Sequence, residues 1–254
     1  MTRPKSPTSN PKKVPETDAI FARLGAIHQE ATTDPATLRI SMDAKATVQL
    51  GPFARGGKSR VPTQAMDHNF QPEATMTPVG ILMPATNELV VSGVTSKVTS
   101  DCLVDRLQDW WQTVHMRFSS VTTVLITLDN GPENHSRRTQ FMQRLVAFVG
   151  DTGLTVQLAY YPPYHSKCNP IERCWGALEQ HWNGSLLDNL PVALTFIETM
   201  AWQGVHPVVQ AITTTYRTGV KLTKDAMAAL ERCFIRDPLL GRWFVTISLD
   251  TIHG

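Results

Sequence analysis

The sequence predicts a mixed α/β fold: three antiparallel strands, then alternating helices and strands, with helices on the faces of the sheet and a helical C-terminal extension. Three observations lead there. Residues 38–51, LRISMDAKATVQLG, alternate apolar and polar side chains and are rich in β-branched types. VTTVLITLD, residues 121–129, is a compact apolar run of the kind that forms a buried central strand, and it ends on an aspartate. Between and beyond such runs, apolar residues recur at helical spacing.

Taken in order, residues 1–15 hold Pro4, Pro7, Pro11 and Pro15 with Arg3, Lys5, Lys12 and Lys13 and no acid, which predicts a disordered basic tail. A helical lead-in covers 16–37. The main α/β domain is expected over 38–185, with 186–254 as a helical extension packed on the same domain. After the first strand, VGILMP and ELVVSGV are separated by ATN, which suits a turn. From 100 to 117, Leu103, Leu107, Trp110, Trp111 and Val114 form a helical stripe. Following VTTVLITLD and DNGPEN, a second helix over about 136–150 carries Phe141, Leu145 and Phe148 on one side. TVQLAYY is a further strand, and the YPPYHSKCNP loop leads into a third helix.

The 254 residues are 42% hydrophobic and 18% charged, the balance of a globular protein with a real core. A net charge of +2 excludes a uniformly basic nucleic-acid coat but leaves room for a local basic patch. No stretch approaches the roughly 18 apolar residues of a membrane span, and the N-terminus lacks the apolar core of a signal peptide, so an intracellular protein is expected. The 4 cysteines are scattered, which argues against a disulfide framework. His165, Cys168, Cys174 and His181 fall close together, but their gaps do not match the tight ligand pairs of zinc sites, so free, buried thiols are expected, with a structural zinc module as the alternative.

Three carboxylates stand at telling places. Asp43 interrupts the first strand between Met42 and Ala44, where aspartate is disfavoured. Asp129 ends the apolar strand, the edge where α/β folds gather ligands, although DNGP is also good turn chemistry. Glu172 falls in the first turn of the third helix, with Asn169 as expected N-cap and Pro170 at the first helical position. That makes it a capping-box glutamate, worth about 1 kcal/mol to the helix, and a fixed rotamer also suits a ligand. Glu179, two turns further, is the rival ligand, about 10 Å along the axis. Oxygen ligands from separate elements at one sheet edge suit hard divalent cations, and two such ions support phosphodiester chemistry.

With these residues in place the chain resembles the Rhodopirellula-type DDE transposases of bacterial insertion sequences. The segments that carry the resemblance are ETDAIF, ISMDAKATVQLGPFARGG, DHNF, LDNGPENHSRRTQF, AYYPPYHSKCNPIERCWGALEQHWNG, TGVKLTKDAM and WFVTI, spread over residues 16–247. The YPPYHSKCNPIERCW stretch is the most specific, and its NPIE-plus-tryptophan core is shared with mariner-like enzymes. The resemblance implies an RNase H-like fold with 38–185 as the catalytic domain. It implies Asp43, Asp129 and Glu172 as catalytic, metal-binding residues holding two Mg²⁺ (or Mn²⁺) ions. It further implies strand cleavage at element ends and attack of the freed 3′ hydroxyl on target DNA, within a homo-oligomeric synaptic complex in the bacterial cytoplasm, associated with the nucleoid.

Family members carry a helix-turn-helix region ahead of the ETDAIF-like segment. This sequence has about fifteen tail residues there, so an N-terminally truncated member, or one paired with a separate upstream helix-turn-helix polypeptide, is expected. The position after the first aspartate, often threonine in the family, is Ala44. His165, Lys167, Arg137 and Arg138 are candidate DNA contacts, with surface or helix-solvating roles as the alternative. Asn130 and Asn134 are read as turn residues, and Trp175 and Trp182 as core. The competing functional readings are a catalytically incomplete remnant that binds DNA weakly, and an RNase H-like nuclease.

Overall fold

The computed structural model describes residues 14–53 and 74–253; the expected basic tail lies outside them except for Val14 and Pro15, as do ARGG and DHNF of the family-like segments. The described elements run α1 (Thr17–Thr33), β1 (Thr37–Ala44), β2 (Val48–Leu50), β3 (Ala74–Met83), β4 (Glu88–Val94), α2 (Ser100–Val114), β5 (Thr123–Leu128), α3 (Thr139–Thr152), β6 (Thr155–Tyr160), α4 (Pro170–His181), α5 (Leu190–Thr199), β7 (Val208–Ile212), α6 (Lys224–Leu230), β8 (Ile235–Arg236), β9 (Phe244–Ile247) and α7 (Leu249–His253).

The strands form one mixed sheet in the order β7-β4-β3-β1-β5-β6-β9-β8, with β2 pairing to β3. β1, β3 and β4 are antiparallel neighbours, and β1, β5 and β6 run parallel. The C-terminal segment differs from a purely helical extension. Besides α5, α6 and α7 it supplies β7, β8 and β9. β7 adds to the outer side of β4, and β9 adds to β6, so both ends of the central sheet are extended by late strands. Exposed edges are a liability that chains cover.

The parallel register of β1 and β5 decides where the functional end of the sheet lies. Ser41 sits opposite Thr127. Two residues further along each strand stand Asp43 and Asp129, so parallel pairing brings them level at the same carboxyl-terminal end. Side chains alternate across a strand, so Leu38, Ile40 and Met42 share one face of β1 while Arg39, Ser41 and Asp43 share the other.

The larger core contains Ile40, Met42, Ile126 and Leu128 with Leu103, Leu107 and Trp110 of α2 and Phe141, Leu145 and Phe148 of α3. α2 carries a side-chain cap from Thr99, and α3 stops at Gly153, which takes the left-handed conformation that favours glycine. A second core joins α4 and α5 to the sheet through Ile171, Trp175, Leu178, Trp182, Ala193 and Ile197, packed with Met76, Leu82, Leu89 and Val91. α4 therefore lies against β1 and β3 and delivers its first turn to the end of the sheet where Asp43 stands. No helix among the described residues is long and apolar enough to cross a membrane.

Candidate active site

A cavity of about 630 Å³ opens at this end of the sheet, and Asp43, Asp129 and Glu172 all line it, together with Lys45, Lys167, Arg173, Trp175 and Glu179. The three carboxylates come from three separate elements: β1, the residue following β5, and the first turn of α4. A smaller cavity of about 230 Å³, bounded by Met42, Val98, Leu103, Leu128, Pro132 and Phe141, reaches Asp43 and Asp129 from the α2–α3 side.

The start of α4 is fixed by a relay. Asn169 occupies the N-cap position with extended backbone but makes no side-chain cap bond, and Pro170 follows at the start of the helix. The hydroxyl of Ser41 does the capping instead: it accepts from the Ile171 N–H at 3.2 Å and donates to Asn169 Oδ1. The Asn169 N–H is already committed to the Ser166 carbonyl at 2.7 Å. The expected capping box with Glu172 is therefore not formed, because its backbone donor is used by the short 3-10 turn of Ser166–Cys168. Glu172 keeps its place in the first turn without that tether. Since Ser41 lies two residues before Asp43 on the same face of β1, one buried hydroxyl sets the helix start relative to the strand that carries Asp43.

Each aspartate accepts from a neutral side-chain N–H donor. The indole Nε1–H of Trp175 donates to Asp43 Oδ2 at 2.8 Å. The amide Nδ2–H of Asn134 donates to Asp129 Oδ1 at 2.9 Å. Asn134 is in turn fixed by Tyr160, whose buried hydroxyl donates to the Asn134 carbonyl at 2.6 Å. The turn after Asp129 is tight: a Cβ on Gly131 would lie 2.9 Å from Asn134 Oδ1 and 3.3 Å from Asp129 Oδ1, so any larger residue would push on these two side chains.

Asp43 is only 8% exposed. Burial, and next the charge of Asp129, raise its pKa to about 7; the Trp175 hydrogen bond opposes the rise, and Glu172 adds to it. A buried acid pressed by two further carboxylates is the electrostatic setting that a cation relieves.

The rival glutamate is engaged elsewhere. Glu179 pairs with Lys45 and accepts from Trp182 Nε1 at 2.9 Å, while Lys45 lies 5.8 Å from the centroid of the Trp182 ring. Among the expected DNA contacts, Lys167 is exposed and lines the cavity. His165 is turned to its own loop and to α1: its Nδ1–H donates to the Pro163 carbonyl at 2.9 Å, and its ring meets Phe21 edge-on at 5.3 Å. Arg137 is exposed beside the start of α3. Arg138 is occupied within the protein, bonded to Glu133 at 3.0 Å and to Gln140 at 3.2 Å with its side chain 15% exposed. The four residues thus do not form one cluster. Cys174 is buried and Cys168 exposed, and His181 bonds to Thr199, so the His/Cys set does not converge.

Among the described residues, no three His, Cys, Asp or Glu side chains are gathered closely enough to form a ready-made metal cage. An all-oxygen set shared by separate elements fits a small hard cation nonetheless, because Mg²⁺ takes only one or two protein carboxylates and completes its shell with water and substrate phosphates. A buried, unpartnered amide oxygen, Asn134 Oδ1, lies beside this set.

The family model described as Rhodopirellula transposase DDE domain matches residues 1–249. The chain belongs to this family. No curated protein is significantly similar to it in sequence. Among solved structures, this DDE domain is similar to a Mos1 transposase paired-end complex with the left transposon end, at 11% identity and a TM-score of 0.51, over 75% of this chain and 56% of that one. It is also similar to the Mos1 mariner paired-end complex with Mn, at 9% identity and a TM-score of 0.51, over 75% and 56%. The Mos1 strand transfer complex follows at 9% identity and a TM-score of 0.50, over 77% and 57%. These likenesses establish the RNase H-like fold of the DDE domain. The chain spans just over half the length of the solved structures it matches.

Several residues of the site carry no plain signal in the sequence. Trp175 follows the apolar stripe of α4 and so reads as core; the clue to its polar role is that a buried indole N–H needs an acceptor and Asp43 is the carboxylate on the facing strand. Ser41 carries no sequence signal beyond standing two residues before Asp43. Lys45 and Arg173 flank the motif residues without patterning of their own.

Proposed function

We propose that this DDE domain cleaves DNA strands at the ends of an insertion sequence and joins them to target DNA, using divalent metal held by Asp43, Asp129 and Glu172. The observation that carries this reading is that these three carboxylates, from three elements of the family fold, line one cavity. The metal is Mg²⁺ or Mn²⁺, two ions in the complete site; when bound, it activates the attacking oxygen and stabilises the leaving one.

The protein's own residues bind and orient. Asp43 and Asp129 are held by Trp175 and Asn134, so their carboxylates do not have to reorganise on binding. Ser41 fixes the start of α4 and with it the reach of Glu172. Lys167 and Arg173 on the cavity wall supply positive charge for the phosphates flanking the scissile bond, and Arg137 extends that charge toward α3. Arg138 and His165 serve the fold of their loops. DNA is the partner, both as element ends and as target, and two or more copies of the chain bring the ends together. The solved relatives are named as paired-end and strand transfer complexes. The domain works in the bacterial cytoplasm, on nucleoid DNA.

The test is Mg²⁺- or Mn²⁺-dependent nicking of DNA that carries the element's ends. Wild-type protein nicks at the element boundary, and Asp129→Asn does not. Nicking that survives Asp129→Asn, or that proceeds equally in chelator, refutes the assignment.

A further inference from the structure

We infer that Trp175 is a positioning residue for Asp43, and that Gly80 is its counterpart on the sheet. The inference rests on the proposed role of Asp43 as a metal ligand. It is independent of which DNA the domain acts on.

Three observations meet here. The Trp175 indole is 4% exposed and packed in the second core, yet its one polar atom reaches Asp43 Oδ2 at 2.8 Å. Gly80 stands directly opposite Asp43 in the β1–β3 ladder. A Cβ at Gly80 would come within 2.6 Å of Trp175 Cη2, 2.9 Å of Trp175 Cζ2 and 2.8 Å of Ile171 Cδ1. The space the missing side chain leaves is therefore the space the indole fills. Gly80 has no left-handed backbone to justify it, so conformational freedom is not why glycine stands there.

This arrangement does more than fill the core. A phenylalanine would keep an aromatic ring in this core, though without the indole atoms that face Gly80, and it would leave Asp43 Oδ2 without its donor. The N–H fixes one carboxylate oxygen on the β1 side, as hydrogen bonds to metal-binding carboxylates do, and so aims the group. Because Trp175 lies one turn after Glu172 on α4, the same helix that carries one carboxylate orients another. Asn134 does the equivalent for Asp129 from the loop after β5.

The experiment measures Mn²⁺ binding by the electron paramagnetic resonance signal of free Mn²⁺, on wild type, Trp175→Phe, Gly80→Ala and Asp43→Asn. Asp43→Asn is the control for the underlying reading: if it binds Mn²⁺ as wild type does, the metal assignment fails, whatever Trp175 does. Given Asp43-dependent binding, Trp175→Phe and Gly80→Ala are expected to lose roughly 10- to 100-fold in affinity, the usual cost of removing such a supporting contact. Nicking by both variants is expected to need correspondingly more Mn²⁺ and to approach the wild-type rate at saturation. An affinity for Trp175→Phe within about twofold of wild type overturns the positioning role, since a packing residue would change the melting temperature but not the metal constant. A second readout needs no variant. In wild-type protein with labelled indole nitrogens, Mg²⁺ is expected to shift the Trp175 Nε1–H resonance, and an unmoved resonance at saturating Mg²⁺ overturns the proposal.

Discussion

Replacing Asp43 by asparagine should stabilise the metal-free protein, and by an amount that depends on pH. In the folded chain the Asp43 pKa is raised from 3.8 to about 7, first by burial and then by Asp129. Below pH 3.8 the acid is neutral in both states and costs nothing. Between 3.8 and about 7 the unfolded chain ionises while the folded chain keeps its proton, so stability is lost as pH rises. Above about 7 both states are ionised and the full penalty is present. A rise of this size corresponds to about 4 kcal/mol, at 1.36 kcal/mol per pH unit. Asparagine keeps an oxygen for the Trp175 N–H and carries no charge at any pH. Relative to wild type, Asp43→Asn should therefore gain on the order of 4 kcal/mol between about pH 4 and about pH 8, or roughly 10 °C in melting temperature for a domain of this size. The assay is thermal and denaturant unfolding of both proteins in chelator at the two pH values. Adding Mg²⁺ at the higher pH should restore the wild type and leave Asp43→Asn unchanged. A difference between the two proteins that does not vary with pH would refute the reasoning, because it would mean that Asp43 carries no buried, repelled charge.

Further outcomes follow from the same geometry. Gly131→Ala, which sets a methyl group 2.9 Å from Asn134 Oδ1, should disturb the Asn134–Asp129 bond and raise the Mn²⁺ concentration needed for nicking roughly 10-fold, with a melting temperature close to wild type. Glu179→Gln should retain metal-dependent nicking while Glu172→Gln abolishes it; the reverse result would move the third carboxylate along α4. Phe148→Ala, at a position 1% exposed in the larger core, should cost about 3–5 kcal/mol in denaturant unfolding.

Much of the central sheet was legible in the sequence because its strands carry strong local patterns. β1 alternates, β5 is a continuous apolar run, and α4 opens on Asn-Pro, so the three carboxylates could be placed on their elements from residue types alone. That all three line one cavity could not be read locally. It depends on the parallel register of Ser41 with Thr127, a pairing between strands far apart in the chain. The late strands were hidden for a related reason: β9 is 4 residues and β8 is 2, too short to show a period, and β9 pairs on the edge of β6 with β8 on its outer side. The capping box at Glu172 followed sound local rules, and tertiary structure displaced it, since Ser41 supplies the cap and the Ser166 carbonyl takes the Asn169 N–H. Trp175 reads as core from its place on the α4 stripe and is core; its N–H becomes meaningful only once β1 lies beneath it.

The most direct test of the central claim is anomalous diffraction from crystals of this chain grown with Mn²⁺. Anomalous density is expected among the carboxylates of Asp43, Asp129 and Glu172, with ligating oxygens at about 2.1 Å, the distance of a small hard divalent cation. Manganese density elsewhere with none at these carboxylates would contradict it.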